Sequence, residues 1–316
     1  KANSEKLNNI FFINTCAVTK EAENQAKKKI RKIKRENPEA KIIVTGCSAQ
    51  INPTDYKKMK EVDLILGNEE KFKFKKYLNL LNNNSPEIVV NDIMSVKETA
   101  NHFIKGFDKK ARAFVQIQTG CDHRCTFCII PFGRGNSRSV PIAKIYNQIK
   151  ILLKNGFKEI VLTGVDLTSY GNDLYGEPKL GKLIKEIFKK IKNLERLRLS
   201  SLDAIEIDKD LIDIISHEER LMPHLHLSIQ SGDNIILKRM KRRHSREDVI
   251  NLCNNLKQFR NNIVFGADII AGFPTETNEM FLNSKKILSE CDLTYLHIFP
   301  YSNRPNTPAS KMPQIS

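Results

Sequence analysis

The chain has 316 residues, with 52 Lys and Arg against 36 Asp and Glu, and a formal net charge of +16. This length holds one large barrel-like domain plus a smaller one, each with a buried core, and the charge favours a polyanionic partner such as nucleic acid, although a lysine-rich, solvated surface gives the same sign. Seven cysteines, three of them within eight positions, exclude a disulfide scaffold, and no apolar run of about 18 residues exists to cross a membrane, so the reading is a soluble protein of a reducing cytoplasm.

In chain order, Ile10-Phe11-Phe12-Ile13 reads as a short buried strand. Thr19 then caps a helix whose apolar positions Ala22, Ala26, Ile30 and Ile33 recur at helical spacing, while Lys27, Lys28, Lys29, Lys32 and Arg35 crowd its other faces. Lys41–Thr45 and Val62–Leu66 give two more short strands, so residues 1–81 are expected to form a small parallel α/β domain. Asn82-Asn83-Asn84-Ser85-Pro86 breaks the pattern and opens a linker over 82–110, with one short strand at Ile88–Val90. From 111 to 316 strands and helices alternate. Strands are expected at Arg112–Gln118, Glu159–Leu162, Arg196–Leu199, His224–Ile229, Ile263–Ile270 and Leu293–Phe299. Helices are expected at Pro141–Asn155, Lys182–Ile191, Asp208–Ile215, Ser245–Phe259 and Glu276–Leu288. Right-handed crossovers turn six such strands into an open (β/α)6 barrel with its active rim at the carboxyl ends of the strands.

The first barrel strand runs straight into Gly120-Cys121-Asp122-His123-Arg124-Cys125-Thr126-Phe127-Cys128. Three thiolates in one tight loop can hold three irons of a four-iron cluster and leave the fourth open to a ligand or substrate. A structural zinc site is the alternative, but it wants a fourth Cys or His, and His123 lies between two ligands. Around the same rim fall Thr163-Gly164-Val165-Asp166, Ser200-Ser201, Gln230-Ser231-Gly232 and Gly272-Phe273-Pro274. Phe127 and Phe132 flank the cysteine loop as candidate walls. Cys253 and Cys291 read as packing residues.

The CxxxCxxC loop resembles the signature of radical S-adenosylmethionine (SAM) enzymes. The longer run CDHRCTFCIIPFGRGNSRSVP, from Cys121 to Pro141, resembles the tRNA methylthiotransferases, most of all the branch that modifies N6-threonylcarbamoyladenosine. The likeness continues through Val161–Gly171, His224–Gly232 and Phe299–Ser302. It implies an α/β chain whose small parallel domain precedes a radical SAM (β/α)6 partial barrel, and an enzyme that replaces the C2 hydrogen of the modified adenosine near a tRNA anticodon with a methylthio group.

In this family Cys121, Cys125 and Cys128 would bind a [4Fe–4S] cluster whose open iron chelates SAM, and one-electron reduction would release a 5′-deoxyadenosyl radical. Gly164 and Asp166 match the turn that contacts the methionyl amino group, although Gly164 also reads as an ordinary turn glycine. Ser200 and Gln230 are further cofactor-binding candidates. Cys16 and Cys47, each after a short strand, match two of three ligands of a second [4Fe–4S] cluster that supplies sulfur, against a reading as two buried small apolar residues. The third family ligand would precede Lys1, and a C-terminal RNA-binding β module would follow Ser316. Both are expected to be absent, which puts the second cluster and strong RNA binding in question.

The run Lys238–His244 follows the fourth barrel strand. A threonylcarbamoyl group carries a carboxylate, so Arg242 or Arg243 is a candidate to pair with it, against plain contact with the RNA backbone or a solvated face. Arg134 and Arg138 are similar candidates. The expected partners are tRNA and a one-electron reductant, with a monomeric chain and no membrane. The competing readings are another methylthiotransferase target (isopentenyladenosine tRNA or a ribosomal protein), a fragment that cleaves SAM without inserting sulfur, and a non-catalytic metal-stabilised RNA-binding protein.

Overall fold

The computed structural model describes residues 9–83, 85–97, 99, 106 and 111–315. The end of the expected linker, residues 100–105 and 107–110, therefore lies outside the described residues. The chain divides into two compact units, the first taking the residues up to 100 together with Phe127–Asn136 and Ser302–Thr307, the second taking the rest.

The first unit is built on β1 (Ile10–Thr15), β2 (Lys41–Gly46), β3 (Leu64–Leu66) and β4 (Glu87–Val89), all parallel and in that order. Ile42, Ile43 and Val44 are consecutive and fully buried, the pattern of a parallel strand covered on both faces. On one face lies α1 (Lys20–Glu36), which turns Ile30 and Ile33 onto Ile42, Val44 and Ile65. The side chain of Thr19 accepts from Ala22 N and caps this helix, a contact worth about 1 kcal/mol. The other face is covered by the 3-10 stretch Glu70–Asn82, with Phe74, Tyr77 and Leu78 over Ile43, Leu64 and Leu66. Two short helices, α2 (Cys47–Ile51) and α3 (Pro53–Lys57), complete the unit with α4 (Ile130–Arg134). The expected linker strand is thus the fourth strand of this sheet, because Leu64, Ile65 and Leu66 pair with Glu87, Ile88 and Val89.

In the second unit the first barrel strand is shorter than expected. β5 (Arg112–Gln116) ends at Gln116, and β6 (Gln118–Thr119) pairs antiparallel with β7 (Arg138–Ser139). The α/β alternation then follows: α5 (Ile142–Lys154), β8 (Glu159–Thr163), α6 (Leu180–Lys190), β9 (Arg196–Leu199), α7 (Lys209–His217), β10 (His224–Gln230), α8 (Asn234–Arg239), α9 (Arg246–Phe259), β11 (Val264–Ala271), α10 (Asn278–Glu290) and β12 (Leu293–Pro300). Parallel triplets β5-β8-β9 and β10-β11-β12 are joined by the bridges Leu197 to Leu221 and Leu202 to Leu227, which gives the six-stranded open barrel read from the sequence. Asp208, Ser245 and Thr277 cap their helices, Ser245 in a reciprocal box with Asp248. Alternation sends Val115, Leu162, Leu197, Leu227 and Ala267 into the core under the helices, and Cys253 and Cys291 are buried there as expected. The opposite faces of the strands turn inward. Among the described residues, no helix is long and apolar enough to cross a membrane.

Candidate functional site

In the second unit, Gln118 ties the cysteine loop to the rim of the barrel. Its Nε2 donates to Gly120 O (2.8 Å) and Ser137 Oγ (2.9 Å), and its Oε1 accepts from Val165 N and Asp166 N, both at 2.9 Å. A Cβ on Gly164 would meet Gln118 Oε1 at 2.9 Å, so a glycine lets this side chain pass. Gly164 therefore has a packing reason of its own. The loop is held further by Asp122 Oδ1, which accepts from Ser137 N, and by Thr126, whose hydroxyl donates to Arg239 O.

Cys121 and Cys125 face opposite chemistry. Cys121 Sγ lies 3.7 Å from Asp166 Oδ2, which also accepts from His123 Nε2 at 2.9 Å. Glu206 lies 3.5 Å from the same nitrogen and pairs closely with Arg243, whose guanidinium is 2.7 Å from the ring. Hydrogen bonds to Asp166 and Glu206 raise His123 to about 10 against its burial and the Arg243 charge. Cys125 Sγ instead receives Arg242 NH1 at 3.7 Å, while Arg242 NH2 donates to Asp203 Oδ2 (2.9 Å) and Ser228 O (2.7 Å). Burial would push the Asp203 carboxyl up, but His244, Arg242 and Arg243 around it bring it down to about 2.

Arg242 is thus a buried guanidinium whose NH1 and NH2 are both engaged, rather than one free to meet a substrate carboxylate. His123 is committed to carboxylates, although its Nε2, Cys121 Sγ and an Asp166 oxygen lie within 4.8 Å of one another.

Two of the rim candidates carry marks of a ligand site. Ser200 Oγ at the end of β9 is buried with no partner among the described residues, a state that costs about 1–3 kcal/mol unless a ligand satisfies it. Gln230 ends β10 at φ +69°, beside an irregularity in the β10–β11 register. Left-handed backbone in a non-glycine residue stores strain of the kind found where a side chain is aimed at a ligand. Asp166 is nearly buried, its Oδ1 accepting from Thr168 at 3.3 Å.

The first unit brings together a second set. Thr15 and Gly46 are register partners at the carboxyl ends of β1 and β2, so Cys16 and Cys47 leave the sheet side by side. Gly46 has φ +99°, and a Cβ there would sit 2.2 Å from Thr15 O, so a glycine is obligatory at this turn. Cys16 is exposed and Cys47 buried. Arg134 Nε donates to Cys47 Sγ at 3.0 Å, and Asn68 Nδ2 lies 3.8 Å from the same sulfur. Lys71 Nζ donates to Asn68 Oδ1 at 2.7 Å, and burial together with the Arg134 charge pulls its ammonium down to about 8 against the pull of Cys47.

Arg134 therefore stands on a cysteine rather than on a phosphate or substrate. Arg138 is buried in β7, which likewise removes it from surface contact. Phe132 is half-exposed, a wall only in part. Cys128 belongs with Phe127–Asn136 to this unit. Sequence reasoning did not find Gln118, Asp203, Glu206, Asn68 or Lys71. The only signal for Asp203 and Glu206 was their place just after the third barrel strand.

A parallel partial barrel with a three-cysteine loop and ligand-poised groups on its rim defines a radical SAM enzyme. The radical SAM superfamily model matches residues 115–288, and the uncharacterized protein family UPF0004 matches residues 1–67. Among curated proteins, the chain is 57% identical over 309 residues to the threonylcarbamoyladenosine tRNA methylthiotransferase MtaB of Rickettsia prowazekii, covering 98% of this chain and 72% of that one. It is 42% identical to MtaB of Aquifex aeolicus (98% and 75% covered) and 35% identical to the tRNA-2-methylthio-N(6)-dimethylallyladenosine synthase of Clostridium tetani (97% and 69%). Among solved structures, the radical SAM methyltransferase TsrM of Kitasatospora setae shares the fold, with a TM-score of 0.68 at 15% identity over 95% of this chain and 63% of that one. The chain belongs to the threonylcarbamoyladenosine tRNA methylthiotransferase family of the radical SAM superfamily. Membership implies a [4Fe–4S] cluster and SAM.

Proposed function

We propose that this protein replaces the C2 hydrogen of N6-threonylcarbamoyladenosine in tRNA with a methylthio group. The observation that carries the reading is the contiguous loop Cys121–Cys128 at the carboxyl end of β6, within a chain 57% identical over its length to a relative so named. The donor set fits an iron–sulfur cluster, with three soft thiols in one loop and a cationic donor already on Cys125 Sγ. Cys121, Cys125 and Cys128 would hold that cluster, which supplies one-electron reduction of SAM. The chain's own residues prepare the site. Gln118 fixes the loop to the turn after β8, Arg242 steadies Cys125, and the orphaned Ser200 hydroxyl, the strained Gln230 and Asp166 offer polar groups to SAM. The inward faces of the barrel strands exclude water from a reactive intermediate.

Cys16 and Cys47 would hold a second cluster, the source of the inserted sulfur, where Arg134 on the Cys47 sulfur and Lys71 behind Asn68 favour anionic sulfur. On this reading the unit built on β1–β4 donates the sulfur and the barrel of β5–β12 cleaves SAM. The protein acts as a cytoplasmic monomer fed by a one-electron reductant. Anaerobic reaction with SAM, a low-potential reductant and tRNA bearing the threonylcarbamoyl group, followed by nucleoside mass spectrometry, tests the reading. The expected product is the 2-methylthio nucleoside. SAM cleavage with unaltered tRNA, or methylthiolation of dimethylallyladenosine alone, would overturn it.

A further inference from the structure

The inward face of β10–β12 gathers polar groups that the cysteine chemistry does not use. β10 buries Leu225, Leu227 and Ile229 under the helices and turns His224, His226, Ser228 and Gln230 the other way. His226 is the register partner of Gly266, and Asp268 is the register partner of His297, so all of these lie on one face. Asp268 Oδ1 accepts from His226 Nε2 at 2.9 Å and from His297 Nδ1 at 3.2 Å, and the two rings stand 4.7 Å apart. Nearer the amino ends of the strands, Glu159 receives Arg198 at 3.0 Å, Arg196 at 3.4 Å and Arg112 at 3.8 Å. With Glu195 also 3.5 Å from Arg196, three guanidiniums against two carboxylates still leave this part of the barrel positive.

We propose that this face is the subsite for the N6 substituent of the target adenosine, with His297 as its contact residue and Asp268 and His226 as the pair that positions it. The proposal rests on the reading of the target as threonylcarbamoyladenosine. That substituent brings a carboxylate, a hydroxyl and urea N–H groups. The His297 side chain is 64% exposed, and with Nδ1 held by Asp268 its Nε2 is the polar atom left to meet a ligand. When neutral, Nε2 accepts from a hydroxyl or urea N–H, and when protonated it donates to a carboxylate. His297 and Asp268 lie three residues before the ends of their strands at Pro300 and Ala271, a depth of about 10 Å below the rim. A substituent of a purine presented at the rim and directed down the barrel would meet them. A dimethylallyl group in the same place would desolvate His297 and the Asp268 pair without offering partners, which is how polar sites reject apolar analogues.

The test uses the reconstituted protein and anticodon stem-loop RNAs that carry threonylcarbamoyladenosine, dimethylallyladenosine or unmodified adenosine. Kd and kcat/KM are measured for wild type, His297→Phe and His297→Gln. The wild type is expected to prefer the threonylcarbamoyl RNA. His297→Phe should lose about tenfold or more of that preference, His297→Gln should restore part of it, and SAM cleavage without RNA should be unchanged. Should His297→Phe fail to fold, Asp268→Asn must reduce the preference in the same direction. An unchanged preference in the variants overturns the subsite. So does a divalent ion, found by metal analysis, that wild type holds and His297→Phe loses. A wild type that does not distinguish the RNAs would instead sink the reading of the target.

Discussion

The barrel and the sheet of the first unit each present cysteines, and they do so by opposite means. Cys121, Cys125 and Cys128 are brought together by eight positions of chain, and folding adds only their surroundings, an acid and a histidine at Cys121 and a locked arginine at Cys125. Cys16 and Cys47 lie far apart in sequence and meet only because β1 and β2 pair in parallel with Thr15 against Gly46. The contrast extends to charge. The acids Asp166, Asp203 and Glu206 balance the cations around the barrel site, whereas the Cys47 sulfur takes its hydrogen bonds from Arg134 and the neutral Asn68, with Lys71 on Asn68. A balanced site suits a cationic sulfonium substrate, and an electropositive one suits anionic sulfur.

The comparison breaks most sharply at the thiols themselves. Cys125→Ala is expected to abolish reductive cleavage of SAM and every product that depends on it, measured as 5′-deoxyadenosine by chromatography. Cys47→Ser is expected to leave that cleavage near wild type while removing the methylthio nucleoside. Loss of both activities in Cys47→Ser would mean that the two centres are not separable.

The arginines sharpen the comparison at smaller cost. Arg242→Gln should weaken iron retention at the barrel centre by about 10–100-fold, and Arg134→Gln should do the same at the other, as expected for groups that orient and polarise metal ligands. Titration with a chelator, followed by loss of cluster absorbance, separates the two phases. If either variant weakens both phases equally, its arginine supports the fold rather than one centre.

Beyond the centres, the effects concern stability. Asp203→Asn leaves Arg242 and His244 facing a neutral group and should cost about 3 kcal/mol in chemical denaturation. Acid acts through the same carboxyl. Its folded value of about 2 lies below the ordinary 3.8, so the stabilisation is complete above about pH 4 and is lost as pH falls toward 2, roughly 2 kcal/mol in all. In Asp203→Asn this part of the acid sensitivity should vanish.

Helices with a local cap, such as those begun by Thr19 and Ser245, were legible in the sequence because the cap and the apolar spacing lie within a few residues of each other. The six barrel strands were legible for a similar reason, since β-branched and leucine runs alternate with helical patterns. The short strand at Glu87–Val89 was legible as a strand but not its place in the first sheet, because nothing local in a three-residue strand says which sheet it joins.

The cysteine loop was read directly, but its neighbours were not. Arg242 is 117 residues from Cys125, and Arg134 is 87 from Cys47. In sequence both read as substrate-facing groups, since an arginine near an active rim looks the same whether it faces outward or is held by a buried carboxylate or thiol. His226, Asp268 and His297 became a group only once the register of three strands was known.

Iron and sulfide per chain, with zinc counted on the same samples, test the two-centre account most directly in wild type, Cys125→Ala and Cys47→Ser after anaerobic reconstitution. The account predicts that each substitution removes about four irons and leaves the other set in place. Identical iron in wild type and Cys47→Ser, or zinc in place of iron at the loop of Cys121, Cys125 and Cys128, would contradict it.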